Sequence, residues 1–172
     1  MSKTLILTAD QIERKLQRMA REVLELHPHS SEIAVVGIAG QGEAVAERLA
    51  RILADIAPEV STLRMTLRLH KHDPGAVPAV FSDAPERLRG MPVVVVDDVL
   101  NSGRTLIHAV STVLNAGAQR ITAAVLVDRI HRSFPVRADI CGLSLSTTLK
   151  EHIEVQASAE GSAATDAVYL VD

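Results

Sequence analysis

The sequence predicts an open α/β fold: a mainly parallel sheet flanked by helices, in one domain spanning residues 1–172. Two observations carry this. Short β-branched runs alternate with helical periodicity along most of the chain. Of 172 residues, 47% are hydrophobic but only 2% aromatic, so the core must be built from Val, Leu, Ile and Ala. That length suits a single domain. A formal charge of −3 with this apolar content excludes disorder. One cysteine, Cys141, excludes an internal disulfide framework and a multi-cysteine zinc site. The acidic balance disfavours a general nucleic-acid binder, and Phe81, Phe134 and Tyr169 are too few for a base-stacking platform.

The elements follow in order. Thr8-Ala9-Asp10-Gln11 reads as a capping box opening a helix over 9–26. Ile12, Leu16, Met19, Val23 and Leu24 form its apolar stripe, and His27-Pro28 ends it. Arg14, Lys15, Arg18 and Arg21 read as a solvated face, with phosphate-backbone contact as the alternative. Residues 33–38 are a buried strand, 39–42 a loop, 43–56 a helix and 60–69 an alternating strand. Residues 70–90, with three prolines and two glycines, lose all periodicity and read as a mobile loop. A buried strand at 92–96, a helix over 105–116 ending at Gly117, and a strand at 121–127 come next. Short strands are expected near 136–142, 152–156 and 167–171, with 157–164 a surface loop. Nothing resembles a signal peptide or a spanning helix, so a soluble, cytoplasmic protein with no membrane partner is expected.

Chemistry concentrates in residues 92–110. A buried strand ends in Asp97-Asp98, a polar turn contains Ser102-Gly103, and Thr105 opens a helix. Ligands of open α/β sheets bind beyond the carboxyl ends of the strands. A helix N-terminus offers unpaired N–H groups and partial positive charge to an anion. Gly103 permits a tight turn, and Ser102 and Thr105 add hydroxyl donors. Such a turn can hold a monophosphate, while the carboxylates hold hydroxyls or a hydrated metal ion.

Val93-Val94-Val95-Val96-Asp97-Asp98-Val99-Leu100-Asn101-Ser102-Gly103-Arg104-Thr105 resembles the phosphoribosyl-pyrophosphate (PRPP) motif of type I phosphoribosyltransferases. Residues 127–142, beginning Val127-Asp128-Arg129-Ile130-His131-Arg132, resemble one subgroup. These are the pyrimidine-operon regulators that double as uracil phosphoribosyltransferases, the PyrR family. The similarity spans about 5–156. It implies a single-domain fold with a small hood (129–150 with the N-terminal segment) and a lid over 70–90. It implies transfer of ribose 5-phosphate from PRPP to a nucleobase, uracil, with release of pyrophosphate. A weak or inactive nucleotide-binding regulator of pyrimidine genes, with RNA as a less favoured partner, is the alternative. The resemblance places Asp97 and Asp98 on the ribose hydroxyls and on Mg2+, one through its water shell. It wraps the 5′-phosphate with Asn101, Ser102, Gly103, Arg104 and Thr105. Ala39, Gly40, Gln41 and Gly42 become the pyrophosphate loop, and Arg129 a catalytic residue near pyrophosphate or hood. Phe134, Ile140, Cys141 and Gly142 become the hood that meets the base. A homodimer or higher homo-oligomer is also implied.

Four departures from that pattern stand out. Thr-Arg-Gly in the pyrophosphate loop becomes Gly40-Gln41-Gly42, which removes a charged contact and about 10–100-fold in pyrophosphate affinity. The lid pattern Asp-Ile-Thr-Leu-Tyr-Arg-Asp becomes Arg64-Met65-Thr66-Leu67-Arg68-Leu69-His70, with Arg68, Lys71 and His72 as potential substitutes. The hood's Val/Ile-Gly-Lys becomes Cys141-Gly142-Leu143. Asn101 stands where purine-salvage enzymes carry an acidic base, which disfavours a purine enzyme.

Other readings are weaker. The glycines at 37–42 miss the dinucleotide-binding spacing, since Val45 stands at the third glycine position, and no P-loop motif exists. His70-Lys71-His72 reads as an exposed polar loop before a metal site, and His108 and His152 as structural or exposed. Cys141 reads as a small apolar residue rather than a nucleophile. Phe134 packs the hood or stacks on a base.

Overall fold

The structure, a computed structural model, describes residues 3–70, 73 and 75–172. The chain opens with β1 (Lys3–Thr8), α1 (Ala9–Leu26), β2 (Glu32–Ile38), α2 (Gln41–Ile56) and β3 (Ser61–Arg68). β4 (Val80–Phe81), a 3-10 turn (Pro85–Leu88), β5 (Pro92–Leu100), α3 (Arg104–Asn115) and β6 (Arg120–Asp128) follow. β7 (Ile140–Ser144), β8 (His152–Gln156) and β9 (Ala167–Val171) complete it. The central sheet runs β4-β3-β2-β5-β6-β7. Every pairing in it is parallel except β3 with β4. The predicted α/β class with a mainly parallel sheet is therefore the observed one.

Local chemistry explains the best-defined elements. Thr8 Oγ1 accepts from Gln11 N at 3.3 Å and Gln11 Oε1 accepts from Thr8 N at 2.9 Å, so the capping box is reciprocal. Ile12, Leu16, Met19 and Val23 of α1 are fully buried. The valine run of β5 alternates between two cores, because strand side chains have period two. Val94 and Val96 face α1 and α2, while Val93 and Val95 join the α3 side. Burial on both faces is why this strand reads as a continuous apolar run.

The structure corrects several boundaries. β5 runs on to Leu100, beyond the predicted 92–96, because β6 continues to pair with it. The stretch from 75 to 90 is not without structure: β4 pairs with β3, Ser82 N donates to Thr66 O at 2.9 Å, and Leu88 is fully buried. The substitutes Lys71 and His72 lie outside the described residues, as does Pro74. The lid-pattern residues Arg64–Arg68 are part of β3, where Arg64 pairs with Glu47.

The residues expected in the hood take the following places. β7 is an edge strand of the central sheet, and Ile140 is fully buried against α1's side of the core. Arg18 Nη2 donates to the carbonyls of Cys141 and Gly142, covering the open edge. A separate antiparallel sheet, β1-β9-β8, forms from the two chain ends. It joins the main body through a buried ion pair. Arg48 Nη1 donates to Asp166 Oδ2 at 2.8 Å, and Arg48 Nη2 to Glu13 Oε2 at 2.5 Å. Asp166 also accepts from Ser158 and Ser162, so its charge is satisfied.

Candidate active site

Register positions the site. β2 stops pairing with β5 at Gly37↔Val96, whereas β5 continues beside β6 as far as Leu100↔Asp128. Asp98 to Leu100 therefore run past the end of β2, and Asp97, level with Ile38, meets the start of α2. The approach is close: a Cβ on Gly42 would lie 2.8 Å from Asp97 Oδ1. Asp97 Oδ1 also accepts from Asp98 N at 2.9 Å, which orients that carboxylate.

The following turn is a built feature. Gly103 caps α3 at φ +86, a conformation that favours glycine, and a Cβ there would meet Val136 Cγ1 at 2.6 Å. Ser102 O accepts from Ser133 N and Phe134 N, and Ser102 Oγ accepts from Arg104 N. The segment after β6 thus braces the turn from outside. α3 carries no acidic residue in its first turn, so the positive end of its dipole is uncompensated by a carboxylate. A cup of about 50 Å³ lies here, lined by Asp97 and by residues 99 and 100 through 106.

Behind the cup sits Arg129, 6% exposed. Its Nη1 donates to Asn101 Oδ1 at 3.0 Å, its Nε to Thr147 Oγ1 at 2.6 Å and its Nη2 to Thr148 O at 2.9 Å. Thr147 and Thr148 escaped the sequence reading: they follow the arginine by 18 and 19 residues, and no spacing rule links them. Ile130 adopts φ +56, an outlier for a β-branched residue. Asp128 holds that corner by accepting from Ile130 N and from Arg132.

Across the cleft, Gly40 caps α2 at φ 107, again without a side-chain cap. Gln41 and Gly42, expected in a loop, form the first turn of the helix. Ala39 N donates to Leu67 O at 2.9 Å. Gln41 Oε1 accepts from Ala157 N at 2.8 Å, tying this corner to the end of β8. Glu43 occupies the first turn of α2 and accepts from Thr66 Oγ1 at 2.9 Å.

The remaining predicted residues are dispersed. Phe134 lies against the outside of the Gly103 turn. Ile140 is buried in the core. Cys141 Sγ lies 3.2 Å from Leu143 O in β7. Gly142 has no room for a side chain, since a Cβ would lie 2.5 Å from Leu126 O. These three belong to β7 at the edge of the central sheet.

Known proteins share this fold. The fold is that of purine phosphoribosyltransferases. The Leishmania tarentolae HGPRT-ase, solved with GMP, superposes with a TM-score of 0.78 at 16% identity, covering 100% of this chain and 98% of that one. A Bacillus anthracis hypoxanthine-guanine phosphoribosyltransferase gives 0.71 at 16% identity, covering 87% and 85%. The phosphoribosyl transferase domain family matches residues 3–159. A Chloroflexus aurantiacus protein named bifunctional protein PyrR is 38% identical over 157 residues, 88% of this chain and 86% of the relative. A Deinococcus radiodurans protein of the same name is 35% identical over 176 residues, 99% and 95%. The chain belongs to the type I phosphoribosyltransferase family and, within it, to the PyrR group. Among the described residues, no helix is long and apolar enough to cross a membrane.

Proposed function

We propose that this protein transfers the ribose 5-phosphate unit of PRPP to a nucleobase, uracil, releasing pyrophosphate. One observation carries the reading most. Two carboxylates within the last four residues of β5 precede a left-handed glycine turn that opens an acid-free helix N-terminus. The 5′-phosphate sits in the cup at 101–105, held by first-turn N–H groups and the Ser102 and Thr105 hydroxyls. Asp97 and Asp98 hold the ribose hydroxyls. The sugar gains cationic character as pyrophosphate leaves, and fixed carboxylates beside it stabilise that charge.

Mg2+ suits the same two carboxylates. It keeps most of its waters and leans on one or two carboxylates plus substrate phosphates. Among the described residues no cluster of three or more His, Cys, Asp or Glu provides a dedicated cage, so only a water-rich ion fits. Bound with the substrate, it would neutralise charge on the departing pyrophosphate. The chain between β3 and β5 is the natural cover, since an activated sugar must be kept from water. The small β1-β9-β8 sheet, rather than β7, is the better candidate for the hood. A homo-oligomer in the cytoplasm, as the family resemblance implies, completes the reading.

A second reading has its own support. Gln41 replaces the arginine of the family pattern and spends its carboxamide oxygen on Ala157. Glu43 adds a carboxylate at the α2 N-terminus. Both weaken pyrophosphate binding and favour a nucleotide-responsive regulator with slow turnover. Incubating the protein with Mg2+, PRPP and a panel of bases tests the first reading: pyrophosphate release is expected with uracil. No release with any base, together with calorimetric binding of UMP, would leave the regulator.

A further inference from the structure

We propose that Arg129 acts as a positioning residue, orienting the Asn101 carboxamide so that its Nδ2–H donor faces the phosphate cup. The proposal rests on residues 101–105 being that cup. An arginine has only donors. The carboxamide must therefore turn its oxygen toward Nη1, as the 3.0 Å contact records, and its NH2 group away. Asn101 is exposed and lines the cup, and among the described residues Nδ2 has no partner. The orientation is thus set before any ligand arrives, and a bound phosphate gains a donor whose rotation is already restricted.

Arg129 is itself locked. It is buried, and three of its nitrogens are engaged: one by Asn101, two by the Thr147-Thr148 segment. Its own N–H donates to Leu100 O at 3.0 Å, which fastens its backbone to the strand end that precedes Asn101. A guanidinium so occupied supports the cup from behind rather than touching reacting atoms. Lysine could not replace it, because an ammonium lacks the planar fork that meets three acceptors at once. Without the arginine, the Asn101 amide rotates freely and presents its oxygen to the phosphate part of the time.

Isothermal titration of ribose 5-phosphate into the full chain tests this in a double-mutant cycle. N101A should bind about tenfold more weakly than wild type, the loss of one hydrogen bond to a charged group. R129M should show a similar loss, and the N101A/R129M double variant should bind no more weakly than N101A. An R129M effect that persists undiminished in the N101A background, or no effect in wild type, would overturn the proposal. Should R129M fail to fold by circular dichroism, N101D decides. It keeps an acceptor for Arg129 but turns a second oxygen to the cup, so binding should fall below that of N101A; wild-type affinity would refute the idea. If wild type itself does not bind, the phosphate-cup reading fails, which is a separate result from failure of the positioning role.

Discussion

The corners after β2 and after β5 are built on one plan and differ in their charges. Both lie at the ends of adjacent parallel strands, and both open a helix with a positive-φ glycine that has no side-chain cap. The β5 corner keeps acidic groups out of the first turn of α3, and Arg129 stands behind it. The β2 corner places Glu43 in the first turn of α2 and commits Gln41 to Ala157. The two glycines also differ in conformation, Gly103 being left-handed at φ 86, ψ −1 and Gly40 lying at φ 107, ψ −137; under the proposed function, an anion is expected to bind more strongly at the β5 corner than at the β2 corner. Backbone geometry supplies the N–H groups; side-chain charge decides whether an anion gains by meeting them.

That contrast can be broken experimentally. The largest effect is expected from G103A. The residue would have to hold φ +86 with a Cβ 2.6 Å from Val136 Cγ1, at about 1–3 kcal/mol of stability. Its thermal midpoint should drop, and ribose 5-phosphate binding should vanish from calorimetry. Next comes Q41R, which adds a cation to the weak corner. Pyrophosphate affinity should rise about tenfold, despite the lost bond to Ala157; an unchanged affinity would show that the corner is closed to pyrophosphate for another reason. E43Q should raise pyrophosphate affinity only about two- to fivefold, since a first-turn charge contributes about 0.3–1 kcal/mol at an exposed site.

The smallest effect separates the two corners by pH. The loop that donates to Gln41 is anchored by Arg48, Asp166 and Glu13, whereas Arg129's side-chain partners Asn101, Thr147 and Thr148 carry no titrating group. Partial burial would raise the Glu13 pKa, but hydrogen bonds from Gln17 and Arg48 and the charges of Arg48 and Arg51 outweigh it, leaving the group below 4.5. A depressed folded value means the contribution is complete above the unfolded value. It is lost as pH falls below about 4.5 and through the folded value. Wild type should therefore be more stable than E13Q near neutrality, with the gap closing in acid. The difference should stay under about 1 kcal/mol, because the Glu13 side chain is 45% exposed. Thermal melts of both proteins between pH 3 and 7 would show it.

Legibility in the sequence followed the range of the interactions involved. The helix over 9–26 was readable to the residue, since its cap lies within four consecutive positions. The valine strand leading into Asp97-Asp98 and the Gly103 turn were readable because a strand, a turn and a helix start are all local, whereas the true strand end at Leu100 depends on pairing with β6. β1 was not read as a strand: it becomes one by pairing with β9, at the other end of the chain. β4 went unread for a similar reason, being two residues long and defined by its register with Leu67 and Arg68. That Ile140, Cys141 and Gly142 form the edge strand β7 is likewise decided by pairing with β6, a partner more than a dozen residues away in sequence.

The sequence alone determined the α/β class, the buried valine strand and the glycine turn that opens α3, because composition, period and glycine placement act over a few residues. Only the tertiary structure decided what stands behind that turn. The contacts from Arg129 to Asn101, Thr147 and Thr148, the bond from Gln41 to Ala157, and the small sheet from the chain ends all join residues far apart in sequence. Such contacts depend on how packed layers bring segments together, and no local pattern encodes them. The charges at the two helix starts, none acidic in the first turn of α3 and Glu43 in that of α2, are by contrast local and legible in the sequence once the helices are placed.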